Sequence, residues 1–238
     1  MTVTCVDLSK YQEGFNFSAF KQSGGLGVIL KASEGETDAD PCYADFRAQA
    51  ASAGLSIASY HYFDASDPAT QAEFYLDCAT PGEGERVVCD WEDDATSPDM
   101  VVSFLQSILE ARPDLQLTVY SGATAKDKLG STKNAWLAAN TSLWLAQYTT
   151  GTPSWAKATW AQWSLWQYDD QHPVPGFSGA VDQNRFNGSD ANFLKWMGPA
   201  VAPPAPAPTP EASAVITISS DKPVQIRLGP NVAIAAAS

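Results

Sequence analysis

The chain has 238 residues, of which 45% are hydrophobic, 17% charged and 11% aromatic; these are the proportions of one globular domain with at most a small appendage, and they exclude a disordered or collagen-like chain. With 14 Lys and Arg against 27 Asp and Glu, the formal charge is −13, so the summed field repels phosphate backbones and anionic lipid, and no basic patch suggests nucleic acid. Two histidines, His61 and His172, and no CxxC pair predict neither a metal site nor a cofactor, leaving carboxylates as the abundant reactive groups.

The opening MTVTCVDLSKYQ lacks the basic start and apolar stretch of a secretory signal, and no window of about 18 apolar residues predicts a membrane span. The expectation is synthesis in a cytoplasm. Apolar, β-prone runs then recur at 3–6, 26–30, 56–63, 86–89, 116–120, 143–146, 164–167 and 179–181, with helix-like stretches at 16–22, 43–53, 69–78 and 100–111 between the first five. This alternation predicts an α/β fold with a mostly parallel sheet. After Tyr120 the helical spacers weaken and loops become rich in Trp, Tyr, Gly and Pro, so the pattern is a βα barrel with an impoverished second half. Cys5 and Cys89 fall inside apolar runs and are expected as small buried hydrophobes; with Cys42 and Cys78 they make too few cysteines for a disulfide scaffold.

The body is expected to span 1–198. Residues 199–210, PAVAPPAPAPTP, read as an extended Pro/Ala spacer. The tail 211–238 reads as a β-hairpin, with Ile216 and Ile218 on one strand, Val224, Ile226 and Leu228 on the other, and Ser220-Asp221-Lys222-Pro223 as the turn. An isolated hairpin is marginal in water. Its apolar face must therefore meet another copy of the chain, giving a homo-oligomer, or a cell wall, or the body.

In βα barrels the reactive residues lie at the C-terminal ends of strands. Asp7 ends the first run; Lys31 and Glu34 follow the second; Tyr60 and Tyr62 end the third; Asp90, Trp91 and Glu92 follow the fourth; Asp182 follows the last. If the fourth strand persists through Glu92, Asp90 and Glu92 point to one side. Two carboxyls so close repel, so one should hold its proton while the other stays charged, the division that glycosidic hydrolysis needs. The DxE spacing also fits a solvated acidic loop. Near the strand ends Trp91, Tyr60, Tyr62, Tyr120, Trp144, Tyr148, Trp166 and Tyr168 offer rings for stacking sugars, whereas Trp136, Trp155, Trp160, Trp163 and Trp196 read as core.

In order along 3–188, VDLSKYQ, KASEG, YHYF, CDWED, VYSG, LWLAQY, LWQY and VDQNRFNG resemble glycoside hydrolase family 25, the Chalaropsis-type muramidases. The resemblance implies an irregular TIM-like (β/α)5(β)3 barrel acting on peptidoglycan at the β-1,4 bond between N-acetylmuramic acid and N-acetylglucosamine. It implies Glu92 as general acid and Asp90 as the partner that stabilises the charged intermediate or orients the substrate's acetamido group. Asp7 and Asp182 match the remaining acidic residues of the cleft; Lys31, Glu34, Tyr60, Tyr120 and Gln167 fall in motifs that shape the sugar subsites, with Tyr62, Trp144 and Tyr148 as further candidates. Tyr62 stands where Phe is more frequent, and the long wall-binding repeats that often follow such domains are missing. The implied role is a phage endolysin held in the host cytoplasm until release, with non-standard secretion, an inactive glycan-binding barrel or a virion-associated wall-penetrating protein as alternatives.

Overall fold

Strands that are buried on both faces carry near-continuous apolar runs, and here each run serves two cores. The computed structural model describes residues 4–202; most of the expected spacer and all of the tail 211–238 lie outside the described residues. The strands are β1 (Cys5–Leu8), β2 (Gly27–Glu34), β3 (Asp38–Ala39), β4 (Ser56–Tyr62), β5 (Arg86–Asp90), β6 (Gln116–Ser121), β7 (Thr141–Ala146), β8 (Leu165–Asp169) and β9 (Asp182–Phe186). Eight of them close into a barrel in the order β1-β9-β8-β7-β6-β5-β4-β2, with β2 pairing back onto β1 and β3 added outside β2. All barrel neighbours are parallel except β9, which runs antiparallel to both β8 and β1.

Alternate side chains along each strand sort into two layers. Cys5, Ile29, Ala58, Val88, Tyr120, Trp144 and Leu165 fill the interior, whereas Val6, Val28, Ile57, Val87, Leu117, Leu143 and Leu145 face the helical layer. The helices are α1 (Phe17–Gln22), α2 (Tyr43–Ser52), α3 (Pro68–Ala79), α4 (Pro98–Ala111), α5 (Ala123–Leu129), α6 (Ala135–Asn140) and α7 (Asp190–Met197). Side-chain oxygens of Asn16, Asp67, Ser97, Asn134 and Ser189 cap the first turns of α1, α3, α4, α6 and α7. Phe193 and Met197 of α7 join the interior cluster. Near them the buried Arg86 donates to Trp196 O, Thr118 Oγ1, Ser142 Oγ and Gln116 Oε1 and stacks on Trp196 at 4.1 Å.

The first four expected helices are present with ends shifted by one or two residues. The expected strand at 179–181 is not: the eighth barrel strand is Asp182–Phe186. Its sequence DQNRF carries polar residues on the inward side because that side lines the site, which hides the strand from an apolar search. The fourth barrel strand stops at Asp90, so Glu92 lies beyond it rather than on it. α5, α6 and α7 fall where the spacers look weak, being six to eight residues long. Cys5 and Cys89 are buried free thiols, and Cys42 and Cys78 are also unbridged.

Candidate active site

Register brings the site together before any side chain is considered. Across the mouth, Glu34 pairs with Tyr62, Tyr62 with Asp90, Asp90 with Tyr120 and Tyr120 with Trp144, one continuous row over β2, β4, β5, β6 and β7. Because β9 is antiparallel, its first residue lies where the parallel strands end, and Asp182 faces Asp7 directly across the β1–β9 ladder. Asp7, Asp90 and Asp182 from three strands, with Glu92 just past the end of β5, thus meet at one end of the barrel.

Asp7 is only 6% exposed. Its carboxyl accepts from Gln167 Nε2 at 3.1 Å and from Asn184 Nδ2 at 2.7 Å, and it hydrogen-bonds the carboxyl of Asp182. Gln167 is held in turn, its Oε1 accepting from the hydroxyls of Tyr120 and Tyr148, each at 2.8 Å. Asn184 Oδ1 accepts from Trp144 Nε1 at 2.7 Å. Burial, and then the neighbouring Asp182, push the Asp7 carboxyl well above the usual range. Asp182 is raised to about 6, first by burial, against the hydrogen bond from Asp7, which lowers it. Asp7 and Asp182 are therefore a proton-sharing pair.

Asp90, 7% exposed, has one oxygen, Oδ1, buried with no hydrogen-bond partner among the described residues. Burial raises its pKa well above the ordinary value; Glu92 and Glu34 add to this and Lys31 opposes it. Glu92 lies at the exposed rim, yet the wall around it withdraws enough water to raise its carboxyl too, with Asp182 adding to the rise. Both carboxyls of the DxE pair are raised, desolvation being the first cause for each, with Glu92 adding to the rise at Asp90 and Asp182 to the rise at Glu92.

Glu92 is aimed although its strand has ended. Trp91 N–H donates to Tyr120 O at 2.8 Å, Ser121 Oγ donates to Trp91 O at 2.7 Å, and Thr124 Oγ1 donates to Glu92 O at 3.0 Å. Trp91 points into the helical layer and is fully buried, so it stacks no sugar. Alternation thus continues past the end of β5, held by that one backbone bond to β6 and the two hydroxyls.

Lys31 Nζ lies 2.6 Å from Glu34 Oε2 and 5.4 Å from the Tyr62 ring centre. Burial and then Asp7, Asp90 and Asp182 raise the Tyr60 phenol, so it stays a neutral donor beside the carboxyls. Tyr148 is 53% exposed and presents an open ring at the rim. Trp144, expected among the substrate contacts, is 2% exposed and packs edge-on to Tyr120 at 4.5 Å inside the barrel. It supports Asn184 rather than offering a surface, since an inward residue below the rim has no free face. Gln167 is also buried and links Tyr148 and Tyr120 to Asp7. The sequence reading missed Asn184, whose signal is its place two residues after Asp182 on the same strand face. Among the described residues no cluster of His, Cys, Asp and Glu is suited to a metal ion.

Comparisons with known proteins agree with this geometry. Residues 6–177 match the profile of the family described as Glycosyl hydrolases family 25. The autolytic lysozyme of Clostridium acetobutylicum is 32% identical over 190 residues, covering 76% of this chain and 55% of that protein. Lysozyme M1 of Streptomyces globisporus is 27% identical over 207 residues, covering 79% and 69%. The chain therefore spans about half the length of the first relative and about two thirds of the second. Among solved structures, the bacterial lysozyme from Streptomyces coelicolor superposes with a TM-score of 0.71 at 25% identity, covering 83% of this chain and 97% of that one. The CTP1L endolysin gives 0.67 at 25% identity, covering 80% and 68%. With a closed barrel of five βα units and three further strands, and a family profile matched over most of its length, this chain belongs to glycosyl hydrolase family 25.

Proposed function

We propose that the protein is a muramidase that hydrolyses the β-1,4 bond between N-acetylmuramic acid and N-acetylglucosamine in peptidoglycan. The observation that carries this reading is the orphaned Oδ1 of Asp90, a buried acceptor at the foot of a mouth lined by Tyr60, Tyr62, Tyr120 and Tyr148. A buried polar atom without a partner is costly, and the acetamido N–H of an amino sugar completes it. Glu92, exposed at the rim and holding its proton through partial desolvation, gives that proton to the glycosidic oxygen as the bond to the anomeric carbon breaks. The N–H bond and the cationic anomeric centre both favour ionised Asp90, opposing the burial that raises its pKa. Water adds to the anomeric carbon and returns a proton to Glu92.

The test is Glu92→Gln. The amide keeps the shape and cannot donate a carboxyl proton, so clearing of purified peptidoglycan falls by roughly 10²-fold or more with an unchanged melting temperature. Wild-type clearing by this variant refutes the assignment, and a new reducing end on glucosamine instead of muramic acid refutes the bond specificity. Within this reading an endolysin role is supported by the likeness to the CTP1L endolysin. Expression in a susceptible host with and without a membrane-permeabilising protein tests it, lysis being expected only with permeabilisation.

A further inference from the structure

β2 contains an irregularity that an ordinary strand would not tolerate in this place. Lys31 pairs with Tyr60 and Ser33 with His61, so two residues of β2 advance against one of β4. This bulge reverses the phase of the strand. Lys31 and Glu34, three residues apart, would face opposite sides of a regular strand; here they form a 2.6 Å ion pair. Ser33 is turned outward, away from the mouth, to meet His61.

Behind the bulge, Ser33, His61 and Gln71 are all fully buried. Gln71 Nε2 donates to Asp64 O and Ser66 O, while its Oε1 accepts from Asp64 N–H at 3.1 Å and faces His61 Nε2 at 3.1 Å. The amide is therefore fixed with its oxygen towards the ring, which makes Nε2 of His61 the protonated nitrogen and leaves Nδ1 to accept from Ser33 Oγ at 2.9 Å. The ring stacks on Phe104 at 5.1 Å.

We propose that Ser33, His61 and Gln71 form a buried positioning relay that locks the bulge in β2 and so holds Lys31 and Glu34 in the mouth beside Asp90. His61 is a positioning residue: it touches no substrate and acts through the strand it pins. Burial lowers its pKa to about 4, against the hydrogen bond that its Nε2–H donates to Gln71 and the charge of Asp64, with Lys31 adding to the lowering; the ring stays neutral, and the relay intact, through the range in which Glu92 works. The charged groups that face Asp90 are Glu92, Lys31 and Glu34, with the phenols of Tyr60, Tyr62 and Tyr120 around them. Of the two residues that the relay holds, Lys31 has the larger influence on Asp90 and lowers it. Loss of the relay therefore moves Asp90 upward.

The kinetic arm of the test rests on the muramidase reading; the titration arm does not. In the full chain, Ser33→Ala is expected to move the carbon-13 NMR titration of the Asp90 carboxyl to higher pH, in the same direction as Lys31→Met, and the double variant is expected to move it no further than Lys31→Met alone. On purified peptidoglycan, Ser33→Ala is expected to reduce kcat roughly 10-fold with little change in KM, and Ser33→Thr, which retains the hydroxyl, to restore it. A lower melting temperature with Asp90 titration and kcat unchanged overturns the proposal in favour of packing alone. Nitrogen-15 spectra of the unmodified protein give a measurement that no folding failure can spoil: His61 protonated on Nε2 is expected, and a proton on Nδ1 overturns the relay.

Discussion

Asp182→Asn should make the protein more stable at neutral pH while impairing it as an enzyme. In the folded state the Asp182 carboxyl titrates at about 6, against an ordinary value of 3.8. A raised acid pKa means that the folded state binds more protons than the unfolded state between those two values, so its stability is complete below pH 3.8 and is lost as pH rises through 6. The gap is close to 2 decades of proton affinity at about 1.4 kcal/mol each, or about 3 kcal/mol; Asp182 keeps some contact with water, and screening reduces the expected figure to about 2 kcal/mol. An asparagine keeps an oxygen to accept from Asp7 and carries no charge. For a domain of this size the gain is a melting temperature roughly 4–8 °C higher at pH 8, shrinking to nothing at pH 4. Calorimetry across pH 4–8 measures it. An Asp182→Asn variant destabilised equally at both ends of the range would refute the claim that ionised Asp182 strains the mouth.

Three further outcomes are expected. Arg86→Ala should cost about 3 kcal/mol or more in urea unfolding, because it opens a space against Trp196 and strips acceptors on β6, β7 and α7 of their donor; a loss below about 1 kcal/mol would remove Arg86 from the barrel floor. Gly122→Ala should destabilise by roughly 2 kcal/mol and raise KM, since its Cβ would lie 2.7 Å from the carbonyl oxygen of Ala146, two residues before Tyr148; an unchanged KM would show that Tyr148 contributes no contact. The tail 211–238 is proposed to self-associate, so removing 205–238 should lower the sedimentation mass, and equal monomer masses with and without it reject that proposal.

How much of this could be read from the residues depends on which side of the barrel wall a residue faces. The runs at 26–30 and 86–89 carry apolar residues on both faces and 116–120 carries them at Leu117 and Val119 on its outward face, and those strands were legible together with Asp90, which ends one of them. β9 was missed because Asp182 and Asn184 occupy its inward positions, where function has replaced hydrophobicity with hydrogen bonds to Asp7. The shared direction of Asp90 and Glu92 was legible from alternation, although past the end of β5 it is maintained by one backbone bond, from Trp91 N–H to Tyr120 O, and by the hydroxyls of Ser121 and Thr124. α5 and α6 are too short for a 3.6-residue period to show; the Asn134 cap and the Gly130 stop were the available signals. Trp144 and Trp91 were misplaced for one reason: nearness to a strand end does not fix depth, and register decides which ring reaches the rim. The bulge in β2 left no mark in the sequence, since Ala32 and Ser33 suit a regular strand equally well.

The acid that the reaction needs is a consequence of crowding. If Asp7, Asp90, Glu92 and Asp182 were all ionised, four negative charges would meet at one barrel mouth, where the cation that most helps Asp90, Lys31, is already held by Glu34. Protons retained by the carboxyls relieve that repulsion, and Glu92, exposed at the rim, is placed to give its proton to a substrate. Asp182 is the charge that raises Glu92 after burial itself. Removing it in Asp182→Asn should therefore lower the Glu92 pKa and draw the alkaline limb of the pH–activity profile to lower pH, in the same variant that gains stability at pH 8. A gain in stability with an unmoved alkaline limb would separate the two effects and show that burial alone protonates Glu92.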